Sequence, residues 1–205
     1  MIERLAEVTG RDVSRETCRL LDLYAAILRD EATRQNLVSR STLDSLWERH
    51  ILDSAQLVRF EPEPGSSWVD IGSGAGLPGI VIAALVSGPV TLVEPRRLRA
   101  EFLERAAGDL GLDRVTVVPR KVERVEGKFD VITARALAAL DRLLKISTHL
   151  STRKTLWVLP KGRGAESELA EARRNWHCEA ASTPSSTDPD SEILLIRHVK
   201  ARGGR

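Results

Sequence analysis

The chain has little cysteine, methionine or aromatic residue. Of its 205 residues two are cysteine and one is methionine, and Trp, Tyr and Phe together make 4%. Cys18 and Cys178 lie far apart, with no metal-ligand spacing and no Cys/His cluster beside them. That excludes a zinc module and predicts two reduced, packed thiols, with no bound metal. So few aromatics also exclude the extended stacking surface on which single-strand nucleic-acid binders lay successive bases. No apolar run is long enough to cross a bilayer. The first residues, Met1-Ile2-Glu3-Arg4, lack the apolar core of a signal peptide. A soluble, cytoplasmic protein with no membrane partner is expected. The formal net charge is only +2, so the total demands no nucleic acid and any basic surface must be local. There is no internal repeat. The length suits one domain with a small extension and a sizeable core.

What the chain does have is Val69-Asp70-Ile71-Gly72-Ser73-Gly74-Ala75-Gly76-Leu77-Pro78-Gly79. Trp68 to Ile71 reads as a short apolar strand and Ile80 to Leu85 as a buried helix. Between them four glycines form a turn that lets backbone approach a ligand closely. The free N–H groups at the helix start face whatever sits there. A nucleotide-like cofactor is the natural occupant. Gly74-x-Gly76-x-x-Gly79, with Glu94 downstream to bind ribose hydroxyls, satisfies the dinucleotide fingerprint. Asp70 argues against a dinucleotide, because a carboxylate at the strand end would face an anionic pyrophosphate. The same carboxylate suits S-adenosylmethionine (SAM), which has no phosphate and carries an ammonium and a sulfonium. Asp70, Gly72, Ser73, Gly74, Gly76 and Glu94 are therefore the candidate cofactor contacts.

Upstream, Ser14 is placed to cap a helix running to about Ala32. Leu20, Leu23, Tyr24, Ile27 and Leu28 form its apolar stripe. Arg34 to Val38 is a polar break. A second helix is expected from near Ser41, with Asp44 as a capping-box-like signal and Leu43, Leu46, Trp47, Ile51 and Val58 on one face. Glu61-Pro62-Glu63-Pro64-Gly65 ends it, since proline cannot continue a helix. Residues 1–64 thus read as a helical extension, 65–199 as the core, and 200–205 as a basic, mobile tail. His50 shares the apolar face with Trp47 and Ile51; it is either a hydrogen-bonded packing residue or, with Asp53, a neighbour of cofactor or substrate.

Downstream, strands are expected at Val90 to Val93, Val115 to Val118, Phe129 to Thr133, Thr155 to Leu159, Trp176 to Ala180 and Ile193 to Val199. Helices are expected at Arg97 to Leu110, Leu137 to Leu150 and Ala165 to Asn175, and Gly111 reads as a helix cap. Ser182 to Ser191 is loop-like. Alternating strands and helices imply a parallel α/β sheet covered on both faces. In such sheets ligands sit at the carboxyl ends of the strands. That rim holds Asp70 to Gly76, Glu94, the segment after Val118, Ala134-Arg135-Ala136 and Lys161-Gly162. It also gathers basic residues: Arg96, Arg97, Arg99, Arg120, Lys121, Arg124, Lys161 and Arg163.

Three blocks now carry a family resemblance: Asn36-Leu37, Arg49-His50-Ile51-Leu52-Asp53-Ser54, and Asp70 through Ile80. Val122-Glu123, Thr133-Ala134-Arg135-Ala136 and Lys161-Gly162 fit later blocks. Together they resemble the glucose-inhibited division protein B family, bacterial methyltransferases acting on guanine N7 of small-subunit ribosomal RNA. The resemblance spans Asn36 to Gly162. It implies a class I SAM-dependent methyltransferase fold, a Rossmann-like seven-stranded sheet with an N-terminal helical extension. It implies SAM as cofactor, with contacts at Gly72, Leu77, Val122, Glu123 and Arg135. It implies 16S ribosomal RNA or the small ribosomal subunit as partner, and a monomer is expected. Arg135 is the candidate catalytic residue; Arg96, Arg97, Lys121 and Lys161 are candidate RNA contacts. The chain departs from the family pattern at Val81, Lys121 and Leu98. Three other readings stand beside this one: a small-molecule methyltransferase with an apolar pocket, an NAD-dependent oxidoreductase, and a non-catalytic RNA-binding module.

Overall fold

The computed structural model describes residues 1–39 and 44–203. Its first elements are two helices, α1 (Ile2–Thr9) and α2 (Arg15–Glu31). The Ser14 hydroxyl accepts from the Thr17 amide and caps α2. The buried face of α2 is Cys18, Leu21, Tyr24, Ala25 and Leu28. Leu23, expected in the apolar stripe, is instead 48% exposed. The stripe is turned by about one residue because α2 packs on both of the later helices Gly79–Leu85 and Arg97–Asp109, and only tertiary contacts choose between neighbouring faces of a helix.

The second expected helix is a chain of short turns: a π-helical turn (Trp47–Leu52), α3 (Asp53–Ala55) and a 3₁₀ turn (Gln56–Phe60). The expected start at Ser41 and the apolar Leu43 lie outside the described residues. Leu46, Ile51 and Val58 are fully buried. The wide π turn, a form often found at functional sites, carries Arg49 and His50 and leads straight into Asp53.

The core alternates as β1 (Trp68–Ile71), α4 (Gly79–Leu85), β2 (Val90–Val93), α5 (Arg97–Asp109), β3 (Val115–Val118), β4 (Val131–Thr133), α6 (Leu140–Ser147), β5 (Leu156–Lys161), α7 (Ala165–Ala172), β6 (Trp176–Pro184) and β7 (Glu192–Ala201). The seven strands lie in the order β3-β2-β1-β4-β5-β7-β6. Five of them are parallel, but β7 runs antiparallel to both β5 and β6. The expected all-parallel sheet is thereby corrected. No helix separates β6 from β7, and a hairpin return cannot give parallel neighbours. The last strand also runs to Ala201, where Ala201 and Lys200 pair with Trp176 and His177, so the expected tail begins later than Lys200.

Strand side chains alternate between faces, and the two cores follow that period. Trp68 and Leu92 join α1, α2, α4 and α5 in one cluster. Val69, Ile71, Ile132 and Trp157 join α6 and α7 in the other. The N-terminal helices thus share a single core with one sheet face. Strand order reverses between β1 and β4, and such switch points open a crevice for ligands. The glycine turn leaves β1 on one side of it, and Arg135 follows β4 on the other.

Candidate functional site

The glycine turn is held by the neighbouring strand β2 and by the N-terminal helices. The Gly72 and Ser73 amides donate to the Val93 carbonyl. The Tyr24 hydroxyl, fully buried on α2, donates to the Ala75 carbonyl at 2.7 Å. Burial pushes its pKa well up, so it remains a donor. Gly76 adopts φ +87°, and a Cβ there would lie 2.6 Å from Ile80 Cγ1 and 2.9 Å from Tyr24 Oη. Only glycine lets the turn pass beneath α2. Sequence reading placed Tyr24 in a packing stripe and missed this prop, since no local signal links it to a turn 51 residues away.

Glu94 ends β2 beside the turn. Its Oε2 accepts from the Gly74 amide and its Oε1 from the Arg96 amide, both at 2.9 Å. Each oxygen keeps a further lone pair. The carboxylate lines a cleft of about 430 Å³ with Gly72, Ser73, Gly74, Leu77 and Arg135. Leu37, after α2, closes one wall; the Arg99 guanidinium beside it donates to the Asn36 carbonyl. Leu137 stands on Gly72, whose Cβ would come within 2.8 Å of Leu137 Cδ1. Neither Leu37 nor Leu137 was singled out as a site residue by sequence.

Asp70 corrects an expectation. Its carboxylate does not line the cleft. It is turned to the α4 face of the sheet, where Oδ2 accepts from the Gly79 amide at 3.0 Å. Burial pushes its pKa up to about 7, against the lowering pull of its hydrogen bonds and of Arg135. Asp70 therefore pins the helix start to the strand. Gly79 makes room for it, since a Cβ there would lie 2.7 Å from Oδ2 and 2.2 Å from Leu92 Cδ2. Asp70 Oδ1 and Thr133 Oγ1, on register-paired residues of β1 and β4, have no hydrogen-bond partner among the described residues. Two neighbouring buried polar atoms on that face of the sheet are thus left without a partner among the described residues.

Arg135 stands where three clefts meet. It lines the glycine-loop cleft, a second of about 440 Å³ along the ends of β5 and β7, and a third of about 430 Å³ against His50. Its side chain is 22% exposed, with Nη1 3.4 Å from Asp53 Oδ2. His50 Nδ1 lies at 3.4 Å from the same nitrogen. Arginine only donates, so Nδ1 accepts and the ring proton resides on Nε2. Burial and the Arg135 charge lower the His50 pKa to about 4, leaving the ring neutral at pH 7. His50 is hydrogen-bonded and half-buried, as the packing reading expects, and it stands beside Arg135, which Asp53 also holds. Ala136 follows at φ +52°, a left-handed conformation for a residue with a Cβ, of the kind stored at functional sites.

The other predicted positions are scattered. Val122 is buried and Glu123 exposed in a 3₁₀ turn beyond β3; neither lines the glycine-loop cleft. Arg120, Lys121 and Arg124 surround a shallow basic recess next to Pro95, which also lines that cleft. Arg96 is exposed, and Arg97 pairs loosely with Glu101 at 3.5 Å. Lys161 does not join this open basic surface: its ammonium is held by Glu168 at 2.7 Å and by the Ala138 carbonyl. Arg163 is likewise paired, with Asp190. Among the described residues no group of His, Cys, Asp and Glu could hold a metal ion, and no helix is long and apolar enough to cross a membrane.

The sequence is also similar to known proteins. Residues 17–194 match the family model GidB, rRNA small subunit methyltransferase G. The ribosomal RNA small subunit methyltransferase G of Zymomonas mobilis is 46% identical over 196 residues, covering 91% of this chain and 88% of that protein. Its namesake from Novosphingobium aromaticivorans is 50% identical over 182 residues, covering 87% of this chain and 77% of that one. Among solved structures, a SAM-dependent methyltransferase from Aquifex aeolicus superposes with TM-score 0.60 at 13% identity, over 75% of this chain and 92% of that one. The ribosomal protein L11 methylase of Lactobacillus delbrueckii gives 0.59 at 16%, over 73% and 79%. These structures speak to the fold alone.

Proposed function

The chain belongs to the rRNA small subunit methyltransferase G family, and from that premise we propose that it moves a methyl group from SAM to N7 of a guanine in 16S ribosomal RNA. The observation that carries the reading is the convergence at the switch point. A cofactor cleft with a ribose-binding carboxylate meets, at one arginine, two further clefts.

The residues present fit SAM. Glu94 offers spare lone pairs to a ribose diol. Gly74, at φ +55°, carries no Cβ beside it; one there would sit in contact with Arg99 Nη1 and the Gly72 carbonyl at 3.7 Å. When bound, SAM supplies an electrophilic methyl group on a positively charged sulfur. Guanine N7 carries a free lone pair at neutral pH, so no proton has to leave before attack. Attack there would form the N–C bond as the C–S bond breaks, with the bonding pair left on sulfur. The chain's contribution is then alignment of the reacting atoms. The Arg135 guanidinium would repel a sulfonium, so its fork serves an oxygen: the methionine carboxylate, or guanine O6 beside N7. Asp53 holds that fork, and His50 stays neutral beside it and adds no second positive charge. Arg96, Arg97 and Lys121 provide phosphate contacts along the rim. We take the working unit to be a monomer.

The test is direct. Purified protein is incubated with methyl-tritiated SAM and either naked 16S RNA or assembled small subunits. Label should enter RNA, and reduction followed by aniline cleavage should cut the strand at a single guanine. Label in a metabolite extract and none in RNA would overturn the reading in favour of a small-molecule methyltransferase.

A further inference from the structure

The cleft along β5 and β7 shares Arg135, Ala136 and Leu137 with the glycine-loop cleft. Its charged lining is nearly all committed. Asp53 accepts from Arg135, from Gln56 and from the Thr187 hydroxyl. Lys161 and Glu168 hold each other, and Glu168 also takes the Leu140 amide. Gln56, almost fully buried, donates to Asp53 and accepts from the Ser186 amide. Glu192, the first residue of β7, is different. It is partly buried, it lines this cleft, and its carboxylate has no hydrogen-bond or ion-pair partner among the described residues.

A lone carboxylate repels a phosphate backbone. Its presence in a cleft next to the transfer site makes sense only for a group that brings N–H donors. Among the RNA bases guanine alone puts two adjacent donors, N1–H and the 2-amino group, on the edge away from N7. Adenine and cytosine each present a ring acceptor there, and the single donor of uracil lies between two carbonyls. A carboxylate takes the guanine pair with both oxygens, in the way bidentate contacts discriminate bases elsewhere.

We propose that the β5–β7 cleft is the acceptor-base pocket and that Glu192 reads the N1–H and 2-amino edge of the target guanine. This rests on the guanine methyltransferase reading above. With that edge on Glu192, the opposite edge with N7 and O6 faces the Arg135 side, where the two clefts join. The β6–β7 loop forms a wall of the pocket through Ser185 and Ser191, and its tie to Gln56 and Asp53 keeps that wall and Arg135 in one network.

The experiment uses the full-length protein and RNA in which the guanine methylated by the wild type is mapped and then replaced by inosine. Inosine keeps N7, O6 and N1–H but lacks the 2-amino group. The wild type should lose about tenfold or more in kcat/KM on inosine. Glu192→Gln should lose about 10–100-fold on guanine and discriminate less than about twofold between guanine and inosine. SAM affinity of the variant should equal that of the wild type, which a misfolded variant would not achieve. Glu192→Asp should recover part of the discrimination. A Glu192→Gln enzyme that matches the wild type, or that still discriminates inosine fully, overturns the inference while leaving the guanine reading intact. A wild type indifferent to inosine overturns it too. A wild type that methylates no RNA removes the reading beneath it.

Discussion

The two sides of the switch point are built differently. The β1–β2 side is nearly contiguous: Asp70, the glycine turn, Gly79 and then Glu94 with Arg96 lie within one strand–helix–strand unit, held by bonds such as Gly74 to Glu94 across 20 residues, with the Tyr24 prop to Ala75 as the long-range exception. The β4–β5–β7 side is assembled from distance. Arg135 meets Asp53 across 82 residues, and Thr187 meets Asp53 across 134. In the proposed reading the first side, built from backbone, takes the cofactor and the second, a side-chain network, takes the acceptor. A strand-end glycine turn needs only local geometry, whereas aiming an arginine takes partners from several elements.

Substitution at Arg135 tests that division most severely. Arg135→Ala should cut kcat about 100-fold, the cost of a misplaced reacting pair, with Arg135→Lys between it and the wild type because charge survives and the fork does not. If calorimetric SAM affinity holds while kcat falls, the two sides are separable and Arg135 serves the base. If SAM affinity falls in step, Arg135 holds the methionine carboxylate and the division blurs. The mirror experiment is Glu94→Ala. It removes a carboxylate from the cofactor cleft and unseats the Gly74 and Arg96 amides, so SAM binding should weaken by about 1.5–3 kcal/mol. RNA binding measured without SAM should be unchanged; unaltered SAM affinity in a folded variant would deny Glu94 its role.

Smaller effects come from pH. The Asp70 pKa is raised to about 7 in the folded protein, above its unfolded value, so the folded state binds the extra proton between about pH 4 and 7. Stability from this group is present at low pH and is lost as pH rises through 7. His50 acts oppositely. Its folded pKa is lowered to about 4, so between pH 6.5 and 4 the unfolded state takes the proton and stability falls on acidification. Asp70→Asn should remove only the first slope, and denaturation midpoints of variant and wild type should diverge in the variant's favour from pH 4 to 7. A constant difference across that range would show that Asp70 is not held near neutrality by burial. The smallest effect is at the rim. Lys121→Ala should lower the slope of log affinity for RNA against log salt by about 1 and leave SAM affinity alone; an unchanged slope would take Lys121 out of the interface.

By itself the sequence determined what depends on neighbours along the chain. Period-two and period-3.6 apolar patterns placed the strands and helices of the core. Glycine spacing marked the turn between β1 and α4, with Glu94 beside it, because turn chemistry is local. The rule that ligands gather at strand ends selected Arg135 without a contact map. Tertiary structure decided the rest. Whether β7 runs with or against β5 depends on a hairpin return and not on its apolar pattern. Which way the Asp70 carboxylate faces was settled by the α4 amide packed on its side of the sheet. The prop from Tyr24, the commitment of Lys161 to Glu168 and the meeting of Arg135 with Asp53 and His50 all join residues remote in sequence. Such pairs leave no periodic trace, since they exist only once two cores have closed on the opposite faces of one sheet.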